Sequence, residues 1–450
     1  MIGRSLDDYV CQEDTALSSA LEKMDANKKG FLVILASGKV SGVLTDGDIR
    51  RYLILNKDIN TATAKDVCNS VFVFGHEEDS QEKLICLFDS KIKFLPILDS
   101  NHKLVTIQFF DEIRNLYESE MIRARAPARI TFGGGGSDKF DYFKNWRGLC
   151  INAAIKKYAF CSVLKRSTQQ GIKIVSSDFD AVWEFEDFRH LMSDEDPRLL
   201  IYKRLASFIN LQESVSIHTQ CDFPIGSGLG GSSSLSVAML QAFLTLRGIN
   251  TSKLNLAKQA YKLERISMDI KGGWQDQYAA AVGGINAIHF SYNKHQVHNL
   301  RLSPEILNEL QASLYLCYSG ISHNSSAIHQ SIDFSTQKRS LTMKKTVQLA
   351  DDMLHALTEG DLSGFDKNMN ENWKLKTKYS KMITNESLDQ KIDHFRSSGA
   401  SSAKILGAGG GGYFLVRVPA EADQYFRASC VKSGFIPERV LFDMEGVVSW

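Results

Sequence analysis

Leu17, Ala20, Leu21 and Met24 recur at helical spacing, and the apolar run Phe31 to Leu35 follows almost at once. The spacing predicts an amphipathic helix and the run a buried strand. Val40 to Thr45 reads as a second strand, after which Asp46-Gly47 turns the chain and Asp48 is placed to cap the next helix. The same order recurs further on. Ser80 is placed to cap a helix holding Leu84, Ile85 and Phe88, and strands Phe94 to Leu98 and Leu104 to Ile107 follow. Asp48-Ile49-Arg50 is echoed by Glu112-Ile113-Arg114. Residues 1–118 therefore read as a tandem helix–strand–strand–helix pair. Arg114 to Arg125 predicts a charged helical connector.

From Arg123 onward glycine-rich loops alternate with strand and helix patterns, which predicts a mixed α/β and α+β fold. Three clusters, Gly133 to Gly136, Gly226 to Gly231 and Gly407 to Gly412, concentrate the chain's 32 glycines. Met343, Val347, Ala350, Leu354 and Leu357 mark an amphipathic helix ending at Gly360. Charge is balanced, 53 Lys+Arg against 52 Asp+Glu, so a dedicated nucleic-acid binder, which needs a basic surplus, is a poor fit. The longest apolar run, Phe31 to Ala36, is far too short to span a membrane. No signal-peptide core follows Met1, and the eight cysteines include no Cys-x-x-Cys pair, so zinc ribbons and disulfide frameworks are also poor fits. A cytoplasmic chain is expected, with no membrane or nucleic-acid partner.

The strongest chemical signal is Pro224-Ile225-Gly226-Ser227-Gly228-Leu229-Gly230-Gly231-Ser232-Ser233-Ser234, between a strand (Val215 to Thr219) and an apolar helix (Leu235 to Leu246). Such a loop lets backbone N–H groups close around phosphate oxygens at a helix N-terminus. It is not a Walker A sequence, and by itself it also suits a flexible turn before a capped helix. Arg125 to Phe132 reads as a strand that delivers Arg129, and Gly133 to Gly136 then lead to Asp138, suited to sugar hydroxyls or to an N-cap. Glu264 lies on a helix spanning Leu254 to Ser267, with Gly272-Gly273-Trp274-Gln275-Asp276-Gln277 after it. One of these carboxylates can reach a hydrated Mg²⁺ while the other accepts a proton, although either alone would suit a solvated surface. Lys404 to Gly412 forms the last glycine loop, before the strand Tyr413 to Val416, and suits bracing the phosphate loop, approaching substrate or simply connecting a hairpin.

Together these four elements resemble the GHMP small-molecule kinase superfamily, over residues 121–450. Within it, Gly133 to Asp138 and Gln275 to Ala281 resemble the D-glycero-D-manno-heptose 7-phosphate kinase branch; L-fucose kinases are the alternative. The resemblance implies an S5-like ATP-binding half over 121–310 and a ferredoxin-like half over 311–450, using ATP and Mg²⁺ on a sugar's anomeric hydroxyl. Asp276 matches the catalytic base, Arg129 a basic residue steadying charge, and Ser232 with Glu264 the Mg²⁺ ligands. Pro224, Gly226, Ser227, Gly228, Leu229, Gly230, Gly231, Ser232 and Ser233 match the ATP loop. Asp138, Gly135, Gly136, Gly409 and His323 are the implied acceptor contacts. His323 stands near where heptose-phosphate kinases tend to carry an arginine, so Lys404 or another cation would have to compensate.

The N-terminal repeat resembles a CBS-domain pair. Its first copy, Gly42 to Arg51, places Thr45 and Asp48 where the family holds a ribose; the second has Thr106-Ile107-Gln108-Phe109 instead. One adenine-nucleotide site, or a pair kept for homodimerisation, is the expectation. A nucleotide-binding regulator without catalysis is the remaining alternative for the whole chain.

Overall fold

The computed structural model describes residues 6–55, 58–59, 61–79, 83–84, 87–88, 92–109, 121–166, 170–268, 272–321, 328 and 337–450. The chain divides into two compact units, Met1–Ser119 and Glu120–Trp450.

In the smaller unit β1 (Val10–Gln12) runs parallel to β2 (Phe31–Ala36), which pairs antiparallel with β3 (Lys39–Thr45). Helix α1 (Leu17–Asn27) joins β1 to β2 and buries Leu17, Ala20 and Met24, the stripe its spacing predicts. The arrangement recurs: β4 (Gly75–His76) is parallel to β5 (Phe94–Leu98), and β5 is antiparallel to β6 (Leu104–Phe109). Helix α2 (Asp46–Ile54) starts three residues earlier than the sequence suggested, because its N-cap is Thr45 and not Asp48. Asp48, third in the helix, reaches back to the Thr45 N–H at 2.9 Å while its own N–H donates to Thr45 Oγ1, a capping box. The other carboxylate oxygen of Asp48 pairs with Arg51. The two residues expected to hold a ribose are thus engaged with their own helix. Ser80, Ile85 and Glu112 to Arg114 lie outside the described residues.

The larger unit opens with β7 (Met121–Gly133), so Met121 to Arg125 are strand, not the expected connector helix. Arg123-Ala124-Arg125-Ala126 alternates outward arginine with buried alanine at period two, which the charges obscure when read at helical spacing. β7 pairs antiparallel with the 18-residue β8 (Gly148–Lys165). An eight-stranded sheet is built on that pair: β9 (Ile172–Ser176), β10 (Ala181–Phe185) and β11 (Val215–Cys221) lie to one side of β8. β12 (Ile285–Phe290) and β13 (His295–Asn299) continue from the first residues of β8. Helix α3 (Gly231–Leu246) lies on this sheet, contributing Val237, Leu240 and Phe243 to a core shared with Ile174, Ile217 and Ile288.

A second, four-stranded antiparallel sheet follows, of β14 (Leu314–Tyr318), β15 (Ser402–Ile405), β16 (Tyr413–Arg417) and β17 (Pro437–Arg439), in the order β15-β16-β14-β17. β18 (Val448–Ser449) returns to pair with β7. One hydrophobic cluster joins Ile130 and Phe132 of β7 to Leu316, Phe365 and Phe414, so a single core runs across residue 310. Both sheets with their helices make the mixed α/β class that the sequence implied. Among the described residues no helix is long and apolar enough to cross a membrane.

Candidate active site

β7 brings Arg129 to the glycine loop: its N–H donates to Leu229 O at 2.9 Å, and its Nη1 donates to Gly228 O. The rest of the guanidinium meets Asp276 as a fork, Nε to Oδ1 at 2.8 Å and Nη2 to Oδ2 at 2.9 Å. A bidentate charge-assisted pair of this kind fixes both side chains in angle as well as distance. Asp276 sits in the first turn of α4 (Gln275–Val282). The start of α4 is held by Asp138, whose carboxylate accepts from Gln275 N–H at 3.1 Å and from Gly136 N–H at 3.0 Å. Asp138 therefore ties the first glycine loop to the Asp276 turn instead of capping the helix that follows it, Phe140–Phe143, whose N-cap is Lys139. Burial, and then the charge of Asp276, push its pKa up. The approach requires glycine at 273, since a Cβ there would lie 1.8 Å from Asp138 Oδ2.

Glu264 lies in a stretch of π-helix, Lys262–Ser267, a wide turn often found at functional sites. It is 1% exposed and accepts from Ser233 Oγ at 2.7 Å and Gln277 Nε2 at 2.6 Å, while Arg265 Nη1 lies 3.2 Å from Oε1. Ser232 and Ser233, both expected on the nucleotide, both line the cleft; Ser233 is buried with its hydroxyl on Glu264, whereas Ser232 is exposed. Leu229, expected in the same role, packs into the hydrophobic core and offers only its backbone.

The cleft has two lobes. One is lined by Pro224, Gly226, Ser227, Gly228, Gly230 and Gly231, with Ser232 and Glu264, and extends between the apolar Phe179, Leu200, Phe223 and Leu235. Gly226, Gly228 and Gly230 take φ of 71°, 81° and 79°, positive at every second residue, ahead of the 16-residue α3. Backbone of this kind at a helix N-terminus is an anion cradle. The other lobe is lined by Thr131, Gly135, Gly136, Asp138, Gln275 and three lysines, Lys139, Lys376 and Lys404. Arg129, Arg265, Asp276, Gly407 and Ala408 line both, so the Arg129–Asp276 pair stands at the junction. Gly409 does not line it: a Cβ there would meet Ile383 O at 2.6 Å, and Gly407 and Ala408 take the place expected of it. His323 lies outside the described residues.

Sequence reading missed Gln275, Arg265 and Lys376. Gln275 is the most legible of these, being next to Asp276. Its Oε1 accepts from Thr131 Oγ1 at 2.9 Å, which turns its amide nitrogen towards Gly135. Arranged this way, the cleft can hold a polyphosphate in one lobe and a hydroxylated acceptor in the other, with a carboxylate and a guanidinium between them.

Comparison with known proteins agrees with this architecture. Residues 199–284 match the GHMP kinases N terminal domain, 353–431 the GHMP kinases C terminal domain and 5–55 a CBS domain. A D-glycero-alpha-D-manno-heptose 7-phosphate kinase from Campylobacter jejuni is 33% identical over 336 residues, covering 73% of this chain and 98% of the relative. The bifunctional fucokinase/GDP-fucose pyrophosphorylase of Arabidopsis thaliana is 26% identical over 341 residues, 71% of this chain but 32% of that larger protein. The crystal structure of a D-glycero-D-manno-heptose 1-phosphate kinase from Bacteroides thetaiotaomicron superposes with a TM-score of 0.61 at 27% identity, covering 73% of this chain and 98% of its own. Taken with the cleft, these matches make the chain a member of the GHMP kinase family that carries a CBS domain within residues 5–55.

Proposed function

We propose that the chain is a sugar 1-kinase that moves the terminal phosphoryl group of ATP to the anomeric hydroxyl of D-glycero-D-manno-heptose 7-phosphate. The observation that carries this reading is the Arg129–Asp276 fork at the junction of a phosphate-cradling lobe and a polar acceptor lobe. The heptose 7-phosphate kinase that is 33% identical supports the choice of acceptor.

In this reading Asp276 accepts the proton of the anomeric hydroxyl as its oxygen attacks the terminal phosphorus and ADP leaves. An anomeric hydroxyl is more acidic than an ordinary alcohol, so a carboxylate suffices as base. Asp138 accepts from other sugar hydroxyls, and Gln275 donates to the ring or its substituents. Arg129 keeps Asp276 aligned and lies beside the charge that builds on the transferred group. Alignment and nearby cations supply most of the acceleration in phosphoryl transfer, which is what a preformed fork provides.

Ser232 and Glu264 are the residues that would hold Mg²⁺, which when bound neutralises the phosphate oxygens. The donor set fits the ion, because Mg²⁺ keeps most of its waters and takes one or two protein oxygens. Beside Glu264, Gln277 Oε1 is buried and finds no hydrogen-bond partner among the described residues, an acceptor suited to a water of a hydrated ion.

The test is an ATP-consumption screen with Mg²⁺ over D-manno-heptose 7-phosphate, sedoheptulose 7-phosphate, L-fucose, D-mannose and D-galactose. Turnover confined to the manno-heptose phosphate is expected. Turnover on L-fucose alone would replace the acceptor, and silence across the panel with ATP still bound would replace the kinase reading by a regulator.

A further inference from the structure

Lys376 is the last residue of a 15-residue helix, α5 (Leu362–Lys376), and Lys404 lies on β15. Both line the acceptor lobe, together with Arg129. Neither ammonium rests on an acid. Lys404 Nζ donates to Phe132 O at 2.9 Å, and Lys376 Nζ donates to Gly407 O. Among the described residues no carboxylate forms an ion pair with either lysine. The acids of this lobe are engaged elsewhere, Asp276 by Arg129 and Asp138 by two backbone N–H groups.

Five basic side chains, Arg129, Lys139, Arg265, Lys376 and Lys404, therefore line the lobe, and two of them, Lys376 and Lys404, have no carboxylate ion pair among the described residues. Lys404 is 3% exposed. Burial, and then the neighbouring charges, hold both lysines below the ordinary value, Lys404 at about 7 under the influence of Arg129 and Lys376 well below under that of Lys404 and Arg129. Burying unpaired charge costs stability, and an oxyanion between the two heads would remove that cost while taking hydrogen bonds from both. The place is also next to the nucleotide loop: a Cβ on Gly407 would lie 2.6 Å from Gly228 Cα.

We propose that Lys376 and Lys404 form a phosphate subsite in the acceptor lobe, contributed by the second half of the larger unit. This rests on reading that lobe as the acceptor side. The phosphate is either the distal group of a phosphorylated sugar or the group in transfer, and the two share the same chemistry. The subsite also supplies the cationic partner that the sequence does not offer as an arginine near His323.

Inorganic phosphate, titrated calorimetrically into the full-length protein, separates the cases. One titration is made with Mg²⁺ and a non-hydrolysable ATP analogue in place, the other with Mg²⁺ and ADP. Lys376→Met and Lys404→Met each remove the terminal amine at nearly constant side-chain length, and thermal melts verify that both fold. Weakening of about tenfold or more in both variants with the ATP analogue present would assign the subsite to the acceptor's own phosphate. The same loss seen only with ADP would assign it to the group in transfer. Wild-type affinity in both variants under both conditions, or no phosphate binding by the wild type, would overturn the subsite. The acceptor screen fails independently: a free-sugar kinase whose lysine variants still lose phosphate keeps the subsite and loses the heptose phosphate. A heptose-phosphate kinase whose variants bind like the wild type does the reverse.

Discussion

Asp276 and Arg129 make one hydrogen-bonded unit, so a substitution at either must be read through both. Asp276→Asn keeps the shape of the side chain and removes the base. Turnover is expected to fall by about 10² to 10⁴ while nucleotide affinity, measured by titration with ATP and Mg²⁺, stays close to wild type. Near-normal turnover would remove Asp276 as base. Lys404 makes the second case, and its sign follows from linkage. The residue holds a proton to about 10.5 in the unfolded chain but only to about 7 in the fold, where Arg129, Lys376 and the Cys150 thiol are its charged or titratable neighbours. Between those values the unfolded state binds the extra proton, so this group makes the fold more stable as pH rises from 7 to 10; below 7 both states are protonated and the cost is complete. Chemical denaturation across that window should show a rise in the wild type that Lys404→Met flattens. A bound phosphate oxyanion favours the charged lysine, so binding near pH 8 should take up a proton, read from calorimetry in two buffers of different ionisation heat. Zero uptake would mean that Lys404 does not face the anion.

The glycine loops show how much of the site an element announces in sequence. Gly226 to Gly231 and Gly407 to Gly412 were legible because close backbone approach tolerates almost no other residue, so the geometry leaves a compositional mark. Their mutual contact was legible only as one option, since the last loop suited bracing the phosphate loop, approaching substrate or simply connecting a hairpin, and only the packing of two distant loops decides among these. It can be tested with a pair of like substitutions. Gly407 and Gly248 both have positive φ, 64° and 65°, but a Cβ on Gly407 would strike Gly228 while one on Gly248 meets nothing within 4 Å. Gly248→Ala should cost roughly 1 kcal/mol of stability and leave kinetics alone. Gly407→Ala pays the same conformational cost and should also raise the nucleotide KM about tenfold or more by parting the loops; equal kinetics in the two variants would deny the contact a role. Lys376 shows the opposite limit. On α5 it is two residues from Lys374, an exposed partner of Glu371, and no spacing distinguishes the lysine aimed inward from the one in solvent. Ser232 and Ser233 are alike in this respect, because only the turn of α3 decides which hydroxyl is buried on Glu264. Met121 to Arg125 went astray for another reason: charge suggested a solvated helix where period-two burial makes a strand.

For the whole molecule, the division into Met1–Ser119 and Glu120–Trp450 turns the question of a second nucleotide site into a thermodynamic one. Units with their own cores commonly unfold as separate cooperative steps, so the full-length chain should melt in two transitions. A ligand stabilises only the state that binds it: at 100 times its Kd it adds about 2.7 kcal/mol to the unit concerned. ATP with Mg²⁺ should therefore raise the transition of the larger unit. Thr45 and Asp48 already serve each other in the α2 capping box, and Asp48 also pairs with Arg51, so a ribose could reach that carboxylate only by displacing them. Asp48→Ala tells the two roles apart. As a cap alone, its loss should lower the smaller unit's transition by the equivalent of about 1 kcal/mol, and ATP, ADP and AMP should leave that transition unmoved in both variant and wild type. As a nucleotide ligand, the wild type's smaller unit should gain stability with one of those nucleotides, and Asp48→Ala should abolish the gain. The first outcome would leave the matched CBS domain without an adenine nucleotide at Asp48; the second would make it a sensor whose coupling to the kinase must then appear as a nucleotide-dependent change in turnover.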